Sequence, residues 1–276
     1  MSQKLSVILL THGGAEKVIE ELTKIRNVEI AGVFIETQIT VKRSLPEKIK
    51  RSIRYDGFVQ TFKKFFSPLF NRKTSNNIEN LIADARQATI ETAGKLKIPV
   101  HQVENYHLPD AINLLQKTNA DLGIIFGTNI VKKSVFEIPR LGSINLHQGL
   151  APFYRGGPTV FWELFNDEKE LGITVHFVAP KVDTGDIILQ KTFPLDYDFS
   201  IYGTDYEKFL ADYRAGLREP SAQLIAEAVS LIAEGREQRK TQDTSLGKRY
   251  RLPLKKEKDE LKKHLRKRFK KLNARN

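Results

Sequence analysis

Asn145, His147 and Asp183 are the residues of this sequence whose types and spacing lend themselves to chemistry. The first two stand two residues apart in SINLHQGLAPFYRGGP (Ser143–Pro158), where an apparent core strand ends and a Pro- and Gly-rich loop begins. The third follows a second apolar run, in GITVHFVAPKVDTGDIILQ. An Asn side chain offers N–H donors. A histidinium offers another and can pass a proton, and a nearby carboxylate keeps the ring charged and can orient water or take a proton. None of the three is a good covalent nucleophile in this arrangement. Together they form an oxyanion clamp with a proton carrier, which suits direct acyl transfer: an amine attacks a carbonyl and the site stabilises the tetrahedral adduct. Spacing alone leaves another reading open, in which Asn145 and His147 satisfy loop backbone and Asp183 is a turn residue.

The elements that must position these residues follow from periodicity. LSVILL (Leu5–Leu10), VEIAGVFI (Val28–Ile35), PVHQV, ADLGIIF (Ala120–Phe126) and LGSINLH read as short buried strands, separated by helical patterns after Thr11, around residues 77–98 and after Pro109. ELGITVHFVAP and GDIILQKTFPL have only KVDT between them, so they read as a strand pair. Two helices follow, split near Pro220. This order predicts an α/β fold, a Rossmann-like mostly parallel sheet with helices on both faces, plus a helical C-terminal extension. Ligands of such sheets bind beyond the carboxyl ends of the strands, where Asn145, His147 and the loop carrying Asp183 and Asp186 fall.

Composition narrows the chemistry. The chain has 276 residues, 40% of them hydrophobic, and no cysteine, so disulfides, thiolate metal sites and a Cys nucleophile are excluded together. No complete G-x-G-x-x-G follows Gly13 and Gly14, and no Walker, G-x-S-x-G or H-E-x-x-H motif is present. His101 and His107 have no carboxylate nearby to complete a metal set and read as surface or loop residues, so no metal is expected; His176 reads as a packed sheet residue. Arg155-Gly156-Gly157 is a single RGG inside a loop.

The two linked motifs, NLHQGLAPFYRGGP and GITVHFVAPKVDTGDIILQ, resemble the folate-dependent formyltransferases, a family that includes methionyl-tRNA, glycinamide ribonucleotide and amino-sugar formyltransferases. The likeness runs from about Ala120 to Leu195. It implies Asn145, His147 and Asp183 as catalytic residues and 10-formyltetrahydrofolate as donor. It also implies a pterin pocket formed by Phe126, Gly127, Thr128, Asn129 and Ile130 with Val182 and Asp186. Gly13, Gly14, Gln148 and Arg155 are candidates for the acceptor side; for Arg155, an anionic substrate group and a loop-stabilising contact are both open. The chain departs from the family where Gly149-Leu150-Ala151-Pro152 stands in place of S-L-L-P. It also shows no convincing phosphate loop at THGGA, no strand run after Pro194 for a carboxyl-terminal β-domain, and a start directly at the first strand. Elimination leaves a small-molecule amine, an amino sugar linked to a nucleotide or lipid, as the expected acceptor. Methionyl-tRNA, or no catalysis at all on an RNA- or membrane-binding protein of the same fold, are the alternatives. On the enzymatic reading turnover is bell-shaped in pH, its acidic limb set by the amine and Asp183 and its basic limb by His147.

The expected organisation is a catalytic domain over 1–200 with a basic aromatic insertion at 41–77, a helical extension over 201–250 and a basic amphipathic tail over 251–276. The formal charge of +12 resides in two segments: Val41–Lys73 has ten Lys and Arg against Glu47 and Asp56, and Lys255–Asn276 has eleven against Glu257, Asp259 and Glu260. In the insertion Phe58, Phe62, Phe65, Phe66, Leu69 and Phe70 recur at helical spacing around Lys63 and Lys64; in the tail Leu261, Leu265, Phe269 and Leu272 form a stripe. Such segments suit an anionic membrane surface, burial against the body or a second subunit of a homodimer, or, for the tail, a solvated end; nucleic acid is favoured by charge but not by the aromatic stripe. The expected location is cytoplasmic, with peripheral membrane contact as an option.

Overall fold

The computed structural model describes residues 4–38, 44–58, 61 and 68–274, and the side chains of 68–79 lie outside the description. Seven strands form one sheet in the order β3-β2-β1-β4-β5-β7-β8: β1 Leu5–Thr11, β2 Val28–Glu36, β3 Val100–Val103, β4 Leu122–Phe126, β5 Ser143–His147, β7 Glu170–Phe177 and β8 Ile187–Pro194. The pairs from β3 through β5 are parallel, and β7 joins both β5 and β8 antiparallel. The expected strand pair is thus the far edge of the main sheet. A two-residue period explains why β1 is apolar throughout. Val7 and Leu9 enter one core with Ile124, Ile144 and Val175, while Ile8 and Leu10 enter the other with Phe34 and Ile125.

Helices with described bounds are α1 Glu16–Thr23, α2 Leu45–Asp56, α3 Pro68–Lys95, α4 Pro109–Lys117, α5 Lys133–Phe136, α6 Phe161–Phe165, α7 Phe199–Tyr202, α8 Tyr206–Gly216, α9 Arg218–Ala233 and α10 Lys255–Asn273. The helix break expected near Pro220 falls between α8 and α9, and Pro220 sits in the first turn of α9, where its missing N–H costs no helical bond. α9 buries Leu224, Ile225, Ala228, Val229 and Ile232 in the larger core.

The structure describes parts of each addition. Residues 201–250 are not helical throughout: β9 Lys248–Tyr250 pairs parallel with β6 Tyr154–Gly156, tying the loop after His147 to the carboxyl-terminal part. The tail stripe is not free. Leu261 and Leu265 are 2% and 1% exposed within the main core, and Phe269 stacks on Phe199 at 6.0 Å; only Leu272 is largely open. A stripe already covered by protein is not available to a lipid interface. In the insertion Phe58 is exposed, Phe62, Lys63, Lys64, Phe65 and Phe66 lie outside the described residues, and Leu69 and Phe70 lie on α3 with their side chains outside the description. Among the described residues no helix is long and apolar enough to cross a membrane.

Candidate active site

The site forms where β5 ends and the β7–β8 connection folds back. Asn145 and His147 point to the same side of β5 because they are two residues apart, and the antiparallel register sets His176 opposite Asn145 and Thr174 opposite His147. Two glycines permit the close approaches on either side. A Cβ on Gly149 would lie 2.3 Å from His147 Nε2, and one on Gly185 would lie 1.8 Å from the Phe177 carbonyl oxygen. Asp183 occupies the left-handed region at φ 52, which few non-glycine residues enter, and turns its carboxylate back over the strand ends. The loop after His147 is pinned from below: the Thr174 hydroxyl donates to Gly149 O at 2.8 Å and accepts from Ala151 N–H at 3.1 Å, and Gln190 Nε2 donates to Ala151 O at 2.7 Å.

Asp183 is the hub. Its Oδ2 accepts from Gly156 N–H at 2.8 Å and lies 3.4 Å from His147 Nδ1, and its Oδ1 lies 3.4 Å from His176 Nε2. Burial acts to raise this carboxyl, but the His176 ring, the charge on His147 and the Gly156 N–H together overcome it and bring it down to about 2. Asp183 is therefore a carboxylate at neutral pH. Burial pushes His147 below the ordinary histidine range, against the pull of Asp183 and the Tyr154 carbonyl. His147 Nε2 is 2.6 Å from that carbonyl, which can only accept, so Nε2 carries the hydrogen and Nδ1, beside Asp183, is the position that titrates. At neutral pH the pair rests as carboxylate and neutral imidazole, ready to gain a proton.

His176 was read from sequence as a packed sheet residue. It is packed, at 2% exposed, and it also orders the site. Its Nδ1 donates to Phe177 O at 2.7 Å, so in the neutral ring Nε2 accepts from Asn145 Nδ2, 3.3 Å away. In that tautomer the Asn145 nitrogen is the end that faces the ring. In the protonated ring the same Nε2 donates to Asp183. The available signal was the spacing of His176 from the end of β7, but it becomes legible only once β5 and β7 are known to pair. The backbone groups of Tyr154 and Gly156 carried no side-chain signal.

A cleft of about 190 Å³ opens over Asn145, His176 and Asp183. Thr128, Asn129, Ile130 and Val182 of the expected pocket line it, with Ile125, Val131 and the stretch Val178–Lys181 added. Phe126, Gly127 and Asp186 do not: Phe126 packs on the main core, Gly127 turns the chain at φ 64, and Asp186 contributes its carbonyl to Phe177 N–H at 2.9 Å. His147 lies outside this cleft and lines a narrow crevice with Gln148, Tyr154 and Gly156. Gln148 Nε2 donates to Ser221 Oγ of α9 at 3.3 Å. Gly13 and Gly14 end up against α3: Gly14 N–H donates to Ala85 O at 2.9 Å, and a Cβ on Gly13 would meet Arg86 N at 2.7 Å. Arg155 is 9% exposed and donates to the carbonyls of Pro152, Thr244 and Gly247 at 3.1, 3.1 and 3.3 Å. Its Nε and one terminal nitrogen are thus engaged by main chain, the contacts a loop-stabilising role makes.

A family model described as formyl transferase matches residues 65–205. The chain belongs to this family. Asn145, His147 and Asp183 all fall inside the matched range. The chain is 32% identical over 153 residues to a methionyl-tRNA formyltransferase of Azobacteroides pseudotrichonymphae, a match covering 55% of this chain and 44% of that protein. The chain thus spans less than half the length of the curated relatives it matches. Solved structures share its fold. A glycinamide ribonucleotide transformylase from Symbiobacterium toebii aligns over 88% of this chain and 95% of its own, with TM-score 0.57 and 19% identity. A sugar N-formyltransferase from a Shewanella species aligns over 90% of this chain and 76% of its own, with TM-score 0.52 and 14% identity.

Proposed function

We propose that this chain transfers a formyl group from 10-formyltetrahydrofolate to a primary amine by direct attack. The observation that carries the reading is the convergence of Asn145 and Asp183 on one small cleft, with His147 in contact with the carboxylate. The cleft fits the ring end of such a donor: Ile125, Val131 and Val178 give it apolar walls beside the polar Thr128 and Asn129.

The roles follow from the geometry. Asn145, oriented by His176, presents its remaining N–H to the oxygen that gains charge as the amine nitrogen bonds to the formyl carbon. Asp183 faces the amine, and the proton leaving it comes to rest on Nδ1 of His147, where the carboxylate steadies the imidazolium. The same proton then leaves with the departing nitrogen of the donor, and the pair returns to its resting state. This order revises the bell-shaped expectation. With Asp183 at about 2 and His147 below its ordinary range, the acidic limb is set by the amine and by a His147 that titrates lower than an ordinary histidine, and the basic limb loses its assignment to His147.

The acceptor proposed is an amino sugar linked to a nucleotide or lipid; methionyl-tRNA, named by the curated relatives, is the competing acceptor. Purified protein with 10-formyltetrahydrofolate is offered a panel of nucleotide-linked amino sugars and, separately, methionyl-tRNA, and products are read by mass for the added formyl group. Formylation of an amino sugar supports the proposal. Formylation of methionyl-tRNA alone replaces the acceptor, and formylation of neither overturns the reading.

A further inference from the structure

A groove of about 620 Å³ lies between α2, α8 and α10, apart from the cleft over Asn145. Its walls carry four cations, Lys48, Arg51, Arg214 and Lys258, against two carboxylates, Asp56 and Glu207. Each carboxylate already has a lysine: Lys258 Nζ stands 3.8 Å from Asp56, and Lys262 Nζ stands 3.6 Å from Glu207. Arg214 is committed to Thr159 O at 3.1 and 2.6 Å. Lys48 and Arg51 are left over, and among the described residues no carboxylate pairs with either. They are one turn apart on α2 and so project together. The Arg51 guanidinium is held 4.8 Å over the Tyr55 ring, which restrains it before any ligand arrives. A restrained guanidinium fork beside an ammonium, over a groove of this volume, suits a phosphate or diphosphate on a nucleotide-sized group.

The groove and the crevice beside His147 share one wall residue. Pro158 lines the groove, and Pro158 also lines the narrow crevice that contains His147. Two residues before it, Gly156 N–H holds the Asp183 carboxylate. A ligand anchored on α2 and laid along this loop would run from Pro158 toward Gly156 and Asp183.

We propose that this groove seats the phosphate-bearing part of the amine acceptor, with Lys48 and Arg51 as its anion-binding pair. Calling the ligand an acceptor rests on the formyl-transfer reading; the anion site itself does not. The test is calorimetry on the full chain with three probes: inorganic pyrophosphate, uridine diphosphate and a short single-stranded RNA. Both side chains are exposed, so the Lys48→Gln/Arg51→Gln variant is expected to keep its melting temperature. The expected result is that at least one probe binds the wild type, weakens with rising salt, and loses about tenfold or more in affinity in the double variant. Uridine diphosphate as the best probe points to a nucleotide-linked acceptor, and RNA as the only one that binds points to a polynucleotide; either supports a phosphate site. No binding by the wild type, or equal binding by the variant, overturns it. The anion site is read by binding alone and formyl transfer by product mass, so failure of the groove and failure of the formyl-transfer reading give separate results.

Discussion

Replacing Leu265 by Ala tests whether the basic tail belongs to the folded body. The Leu265 side chain is 1% exposed and lies in the main core, and Leu261, one turn earlier on α10, is 2% exposed. Truncating a buried leucine removes its transfer free energy and leaves a cavity, together about 2–5 kcal/mol. The site is on a terminal helix that can shift to fill the void, so the lower half of that range, about 2–3 kcal/mol, is expected. At about 2–4 °C for each kcal/mol, the melting temperature falls by roughly 4–12 °C. Leu272→Ala is the internal control: that side chain is 45% exposed, and the substitution is expected to stay within about 0.5 kcal/mol. Urea denaturation and a thermal melt read both variants. If Leu265→Ala is no more destabilising than Leu272→Ala, the helix is not docked, and a tail free for a membrane or another partner becomes tenable again.

Glu163, 3% exposed in α6, is raised to about 7, first by burial, against backbone N–H groups and Arg214 that act to lower it. Its folded-state value lies above its unfolded one, so stability is fully present below about pH 4.5 and is lost as pH rises to about 7, by up to about 3 kcal/mol. Glu163→Gln is expected to flatten that slope in urea melts taken across the window; equal slopes in the two proteins would sink the assignment. Asp183→Asn removes the charge that pulls His147 upward, so the His147 imidazole should titrate still lower by NMR, and an upward move would contradict the pairing. Arg155→Ala strands three carbonyl groups and is expected to cost roughly 1–3 kcal/mol of stability; a large loss of acceptor affinity with unchanged stability would instead restore a substrate role for this residue.

The sheet was legible because its parallel strands are buried on both faces and so read as unbroken apolar runs, as in LSVILL and LGIIF. Asn145, His147 and Asp183 were legible as types, and a family resemblance linked them. Their division of labour was not: that Asn145 and Asp183 face the cleft while His147 sits on its own crevice depends on the turn at Asp183 and on the absence of a side chain at Gly149 and Gly185. His176 was missed because a histidine inside a strand looks the same whether its neighbour is a packed methyl or a side-chain amide; only the β5–β7 register separates the two. Arg155 could not be settled from sequence because its partners, near Thr244 and Gly247, are about ninety residues away. The tail showed a clear amphipathic stripe, but a stripe says that something covers it and not what does.

Formyl transfer measured in a single turnover, with wild type, Asn145→Ala and Asp183→Asn side by side, bears most directly on the proposed chemistry. The donor is 10-formyltetrahydrofolate and the acceptor is whichever amine the screen identifies. Loss of the Asn145 amide removes an oxyanion donor and is expected to slow the step on the order of 100-fold or more, and Asp183→Asn to be at least as severe, with both proteins still folded and melting cooperatively at the assay temperature. Near-normal rates in both variants would contradict the assignment of this cleft as the site of reaction.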